Sequence, residues 1–403
     1  MQIHWIWYAM LPKLTVRQKL SLLEHFSDPE EIYYAQDYGA FAPDIAQALE
    51  DKDMTEAERV ARLCADRHIG ILPYDDPGYP PLLRNIFDPP LVLYYKGTLP
   101  NFEERPIISV VGTRKATAYG SNTALRISRQ IAACGGLVVS GGAYGVDTMA
   151  LQGAIDVGAQ SVAVLGCGVD VVYPRSNSRL FAKIAANGCL LSEYVPGTEP
   201  KPWHFPERNR IISGMAQAVL VVEAPEKSGA LITARDAMEQ GRDVFVVPGN
   251  IDVATCAGSN ALLQDGASAA MSGWDMVKEY AYQFPETVER REPELKNAFF
   301  TQRPKQQVHV AQAVQTPASP AFTDKKAIDK EKTSAYSVLD NKENQLSQEE
   351  QQVVACLTTA PKPVDEVIEE VGLPAARVLS ILTMLALKGT VQNHPGRLVS
   401  VIK

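Results

Sequence analysis

The chain has 403 residues, a formal net charge of −8 and a 46% hydrophobic share. This is the balance of a soluble globular protein of about two or three domains. It excludes a uniformly basic nucleic-acid coat, so a site for a polyanion has to be a local basic patch on an acidic background.

Met1 to Leu14 is apolar and aromatic but has no basic leader and no small-residue cleavage site. No apolar run reaches membrane-spanning length, so a cytoplasmic protein without membrane insertion is expected. Residues 1–66 read as a helical module. Leu20, Leu22, Leu23 and Phe26 recur at helical spacing, and Ser27-Asp28-Pro29 starts a helix with Glu30 and Glu31 in its first turn. Ala46 to Arg62 reads as one further helix. Leu11-Pro12-Lys13-Leu14-Thr15 lacks the glycine of a DNA-binding hairpin and is expected to pack or to contact a partner. Ile69 to Gly97 alternates prolines with a strand-like run and reads as an edge element.

From Arg105 to Tyr282, short apolar runs alternate with helical patterns. The expected strands are Ile107–Val111, Leu137–Ser140, Ser161–Leu165, Cys189–Leu191, Ala218–Glu223 and Val244–Val247. Continuous apolar strands fit a sheet covered on both faces. The fold class is therefore α/β, a doubly wound parallel Rossmann-like sheet, with its ligand crevice beyond the carboxyl ends of the strands. Pro285 to Gln345 is rich in Gln, Lys, Pro, Ser, Thr and Glu and reads as a disordered linker. Residues 346–403 offer three helices and a hairpin, a winged-helix pattern. Its third helix carries only Arg377 and Lys388, which favours protein contact over duplex reading. The domains are thus 1–66, 67–284, 285–345 and 346–403.

The strand ends carry the chemistry. Gly112, Thr113, Arg114, Lys115 and Thr117 follow the first strand and precede a helix. Backbone N–H groups at such a turn have no intrahelical partner and suit a phosphate. Arg114 can grip one with two N–H bonds, while Lys115 is a point charge. Gly141 and Gly142 form a second cradle, with Asp147 stabilising the helix start behind it. Gly166-Cys167-Gly168 runs into Tyr173-Pro174 rather than a helix, which argues against a dinucleotide site. Lys201 to Gly214 reads as a loop holding Lys201, Trp203, Phe205, Arg208, Asn209 and Arg210. Cations beside rings on which bases can stack describe a single-strand groove. Ile211 and Ile212 are expected in the core, and one Arg is expected to pair with an acid such as Glu193. Ser228-Gly229 before a helix is a third anion site. The six scattered cysteines contain no Cys-x-x-Cys pair, which argues for reduced, mostly buried thiols. The dispersed histidines read as surface residues. No metal site, catalytic set or cofactor is expected.

These motifs resemble the DprA (Smf) DNA-processing family. The resemblance rests on Val111-Gly112-Thr113-Arg114, Thr117, Tyr119-Gly120, Ser140-Gly141-Gly142, Gly145-Val146-Asp147, Tyr173-Pro174, Asn177, Ser192-Glu193-Tyr194, Phe205 to Arg210 and Lys227 to Ala234. It implies a non-enzymatic protein that binds incoming single-stranded DNA in natural transformation, protects it and loads RecA recombinase onto it, working as a homodimer. It also implies a SAM-like helical N-terminus, a winged-helix C-terminus and single-strand-binding protein as a further partner. Arg114 and the Lys201–Arg210 stretch would touch DNA, and Phe205 would stack a base. Leu151 stands where many members carry His, and Tyr144 also departs from the pattern; neither touches the basic stretch. The competing reading is a nucleotide-binding hydrolase of the "lonely guy" type. Glycosidic hydrolysis needs a carboxylate at the leaving centre, and Lys227 to Asp236 lacks the expected glutamate.

Overall fold

A computed structural model describes residues 2–291 and, beyond them, 348–401 without 359–361, 374, 388–389 and 395–397. Most of the linker expected at 285–345 lies outside the described residues. The described residues form two compact units, 2–291 and 348–401, each taken by itself.

The first unit opens with helices α1 (Gln2–Met10), α2 (Val16–Leu22), α3 (Pro29–Tyr34), α4 (Pro43–Leu49) and α5 (Thr55–Asp66). Thr15 starts α2 with a reciprocal capping box to Gln18, and Asp28 caps α3 ahead of Pro29. The single helix expected over Ala46–Arg62 is two. Between α4 and α5, Asp51 and Asp53 bond the backbone N–H groups of Asp53 and Thr55, and such local bonds compete with a continuing helix. Trp5, Tyr8, Leu49 and Val60 from these helices share one buried cluster with Leu91, Tyr94, Leu165 and Phe181.

Next come β1 (Gly70–Pro73), the short α6 (Pro81–Arg84) and β2 (Val92–Gly97). The alternating part follows: β3 (Ile107–Val111), α7 (Ala118–Ala133), β4 (Leu137–Ser140), α8 (Val146–Asp156), β5 (Ser161–Val164), α9 (Ser178–Asn187), β6 (Cys189–Ser192), α10 (His204–Met215), β7 (Ala218–Val221), α11 (Gly229–Glu239), β8 (Asp243–Val246), α12 (Ala257–Gln264), β9 (Ser268–Ala269) and α13 (Trp274–Val277). The nine strands form one sheet in the order β1-β2-β6-β5-β4-β3-β7-β8-β9. Pairs from β6 through to β9 are parallel, while β2 runs antiparallel to β6 and β1 to β2. The connector at 69–97 is therefore the edge element its prolines suggested. Two apolar layers cover the inner strands, which are buried along their lengths. The strand β9, two exposed residues, was missed because it carries no apolar run.

The chain winds one way from β3 to β6, then crosses back to β7 beside β3. The order therefore reverses between β3 and β7, and a crevice opens there at the carboxyl ends.

The second unit is a winged helix. It has α14 (Gln348–Ala355), β10 (Lys362–Pro363), α15 (Val364–Val371), α16 (Ala375–Leu387), β11 (Val391–His394) and β12 (Leu398–Val401). Val353, Val367, Val378, Leu385 and Val399 fill its core. Arg377 pairs with Glu349 at 2.7 Å and Lys362 with Glu370 at 2.6 Å.

Candidate nucleic-acid interface

The crevice is a cavity of about 540 Å³ at the switch between β3 and β7. The turn after β3 supplies Gly112, Thr113, Arg114 and Lys115 to it. The segment after β7 supplies Lys227, Ser228 and Gly229, and α10 supplies Phe205, Arg208, Asn209 and Ile212. Those four α10 residues stand at i, i+3, i+4 and i+7, one face of a helix.

That face corrects the expectation of a loop over Lys201–Gly214. The helix starts at His204, and Pro206 falls in its first turn, where a missing N–H costs nothing. Helical geometry then separates the two arginines. Arg208 and Arg210 are two residues apart and point to nearly opposite sides. Arg208 lies on the cavity wall, 3% exposed, with Nη1 donating to the carbonyls of Gly141 (2.7 Å) and Val164. Burial pushes its guanidinium down to about 10, still well above neutral pH. Arg210 turns away. It donates to both Glu193 oxygens (3.0 and 2.7 Å) and to Asp88 (3.3 Å). Those two carboxylates hold its charge in place and raise its pKa despite its burial. The pairing with Glu193 is the one the sequence suggested, and it commits Arg210 outside the cavity.

Arg114 is exposed and forms no ion pair among the described residues. Its guanidinium sits 5.0 Å from the centre of the Phe205 ring, a cation–π contact. Phe205 also meets Tyr173, centroids 5.5 Å apart. Tyr173 also lines the cavity, a binding role that its place in a proline turn did not signal. Lys227 is likewise exposed on the rim. Lys201 lies outside the lining, its ammonium 5.5 Å over the exposed Trp203 ring.

The three cradles differ. At α7, Thr117 is the N-cap, and both its N–H and its hydroxyl reach the buried Glu223 carboxylate. At α8, the buried Asp147 accepts the Ala143 N–H at 3.3 Å. Burial raises the Asp147 pKa, with the nearby Arg208 opposing. The Gly141 carbonyl is bonded by Arg208, and the Gly142 carbonyl by Asn177 at 3.0 Å. Gly141 lines only a smaller recess beside Tyr144 and Phe205. Thus Thr117, Gly141 and Gly142 shape the walls, and the protein's own carboxylates fill those two helix starts. At α11 no acid stands in the first turn. Ser228 caps the helix through the Ala230 N–H, Asn209 braces the Gly229 carbonyl at 3.3 Å, and the space beside Gly229 is open. This helix start faces the cavity with its positive end free for an anion.

The expectation of surface histidines is corrected. His204 is buried, stacked on Tyr194 at 4.1 Å with Nδ1 3.2 Å from the Gly166 carbonyl, and His4 is buried too. Five of the six cysteines are buried, Cys356 partly so, and none forms a disulfide, which is the mostly buried, reduced set expected. Among the described residues no group of three or more His, Cys, Asp or Glu could hold a metal, and no helix is long and apolar enough to cross a membrane.

The family model described as DNA recombination-mediator protein A matches residues 70–281, and that of the DprA winged helix domain matches 339–397. A Bacillus subtilis protein named DNA processing protein DprA is 41% identical over 221 residues, 55% of this chain and 74% of the relative. A Synechocystis protein named Smf is 47% identical over 201 residues, 49% of this chain and 50% of the relative, so the match spans half that relative's length. The X-ray structure of DNA processing protein A from Streptococcus pneumoniae superposes with a TM-score of 0.58 at 34% identity, covering 69% of this chain and 97% of that one.

Proposed function

The chain belongs to the DNA recombination-mediator protein A (DprA/Smf) family, and from that premise we propose that it processes DNA by binding a single strand in the β3–β7 crevice. It protects incoming DNA in natural transformation and hands the strand to RecA recombinase, acting as a cytoplasmic homodimer with single-strand-binding protein as a neighbour on the strand. One observation carries the reading: an unpaired Arg114 lies over the Phe205 ring, which neighbours Tyr173, in one cavity with the open start of α11. Phosphates meet Arg114, Lys115, Lys227 and the Ser228–Gly229 N–H groups, and bases stack on the rings. The buried Arg208 sets the wall behind them. The role is binding rather than catalysis. Asp147 is the lining carboxylate, and it is held by the Ala143 N–H.

The test is binding of single- and double-stranded DNA over a range of salt, with RecA filament formation as the second readout. The single strand should bind more tightly, with affinity falling steeply as salt rises. Homopolymers should differ modestly. Preference for duplex, or for one short sequence, would overturn the reading. Release of free base from nucleoside monophosphates would favour the hydrolase instead.

A further inference from the structure

The Arg114 turn is held at both ends by one buried residue. Glu223 follows β7 and has no exposed surface. Its main-chain carbonyl accepts the Thr113 N–H at 2.7 Å. Its Oε2 accepts the Thr117 N–H at 3.0 Å and the Thr117 hydroxyl at 3.1 Å. Its Oε1 accepts the Thr255 hydroxyl from the segment after β8. Thr117 in turn caps α7 by accepting the Gly120 N–H at 3.1 Å. The approach is so close that a Cβ on Gly120 would collide with the carboxylate.

A buried carboxylate is costly unless donors and a positive helix end compensate it. Here both do. Between the two clamped ends stand Arg114 and Lys115, exposed cations on a fixed backbone path, the Arg114 guanidinium lying over the Phe205 ring.

We infer that Glu223 is a positioning residue for the groove. It presets the Arg114 turn before a strand arrives and supplies the negative charge at the start of α7, which leaves the start of α11 to a phosphate. The inference rests on the DNA reading above, but the clamp has a readout of its own.

Hydrogen–deuterium exchange on the free protein reads the clamp. In Glu223→Ala the Thr117 end of the turn should exchange faster, with Thr113, which bonds the main-chain carbonyl, and with β3 and β7 as protected as before. Unchanged exchange in the turn overturns the inference. If Glu223→Ala loses protection throughout the sheet, Glu223→Gln is read in its place. It keeps the shape and one acceptor, and should speed exchange in the turn alone; wild-type exchange there, or loss across the sheet, overturns the inference. A double-mutant cycle on single-strand affinity then reads the function. Glu223→Ala and Arg114→Ala should couple by roughly tenfold, as groups on one network do, whereas Glu223→Ala and Lys227→Ala should add. Additivity with both partners overturns the positioning role. If Arg114→Ala leaves affinity intact, the DNA reading of the turn fails, while the exchange experiment still judges Glu223.

Discussion

Arg114 carries its charge in the open, against a ring and in no ion pair among the described residues. Removing it should cost the fold little and the groove much. Arg114→Ala should weaken single-strand binding about ten- to a hundredfold, the value of a charge-assisted contact worth roughly 1.5–3 kcal/mol. Its melting temperature should stay at the wild-type value. Arg114→Lys should recover part of the loss, because an ammonium keeps the charge without the fork. Unchanged affinity in an anisotropy titration of Arg114→Ala would take the residue out of the site. A second residue is expressive through its cost. Lys19 is 5% exposed, donates to the Ala9 carbonyl at 2.8 Å, and is pushed down to about 8 by burial. The unfolded chain, with lysine near 10.5, therefore binds more protons between pH 8 and 10.5, and stability contributed by this group rises with pH there. Lys19→Met should remove that rise, a difference on the order of 3 kcal/mol between the two chains across the window. Parallel stability–pH curves for the two proteins would refute it. Arg114 and Phe205 were legible in sequence because a short motif names them. Arg208 and Arg210 were not separable there, since their different positions follow from helical phase, which two prolines concealed.

The elements show why three glycine-marked helix starts with similar sequence signals are not three equal anion sites. The filling groups come from far away in the chain: Glu223 reaches α7 from the end of another strand, which no local reading of residues 112–120 reveals. Asp147 lies within its own motif, and its stabilising role could be read from its place in the first turn. The start of α11 differs because no acid stands in its first turn, and that difference can be tested by erasing it. A Cβ at Gly229 would have open space around it, and an acid in a first helical turn is worth about 0.3–1 kcal/mol. Gly229→Asp should therefore hold or raise the melting temperature while lowering single-strand affinity. Affinity equal to wild type would show that no phosphate visits this helix start. The pair of changes in opposite directions separates a lost ligand contact from a damaged fold.

At the scale of the molecule, the parallel sheet was legible from its apolar runs, and the winged helix from its three helical patterns and hairpin. The shared core was not, because burial between segments distant in sequence leaves no local periodicity. Residues 2–66 and the sheet bury one common cluster, so a fragment of residues 67–291 would expose Leu91, Tyr94 and Phe181 and should aggregate or unfold. A fragment of residues 1–291 should stay folded and keep most of the full chain's DNA affinity. Loss of binding in that folded fragment would move the function to the winged helix, whose Arg377 and Lys362 are already ion-paired. The sheet's two borders have a further consequence. At one border α1 and α5 pack against β1, and at the other β9 is two residues long. Neither offers a long row of free main-chain donors and acceptors, the template on which a foreign strand is added. The architecture is thus guarded against end-to-end polymerisation of sheets, and any second copy of the chain would have to be recognised by side-chain shape and charge rather than by continuation of the sheet.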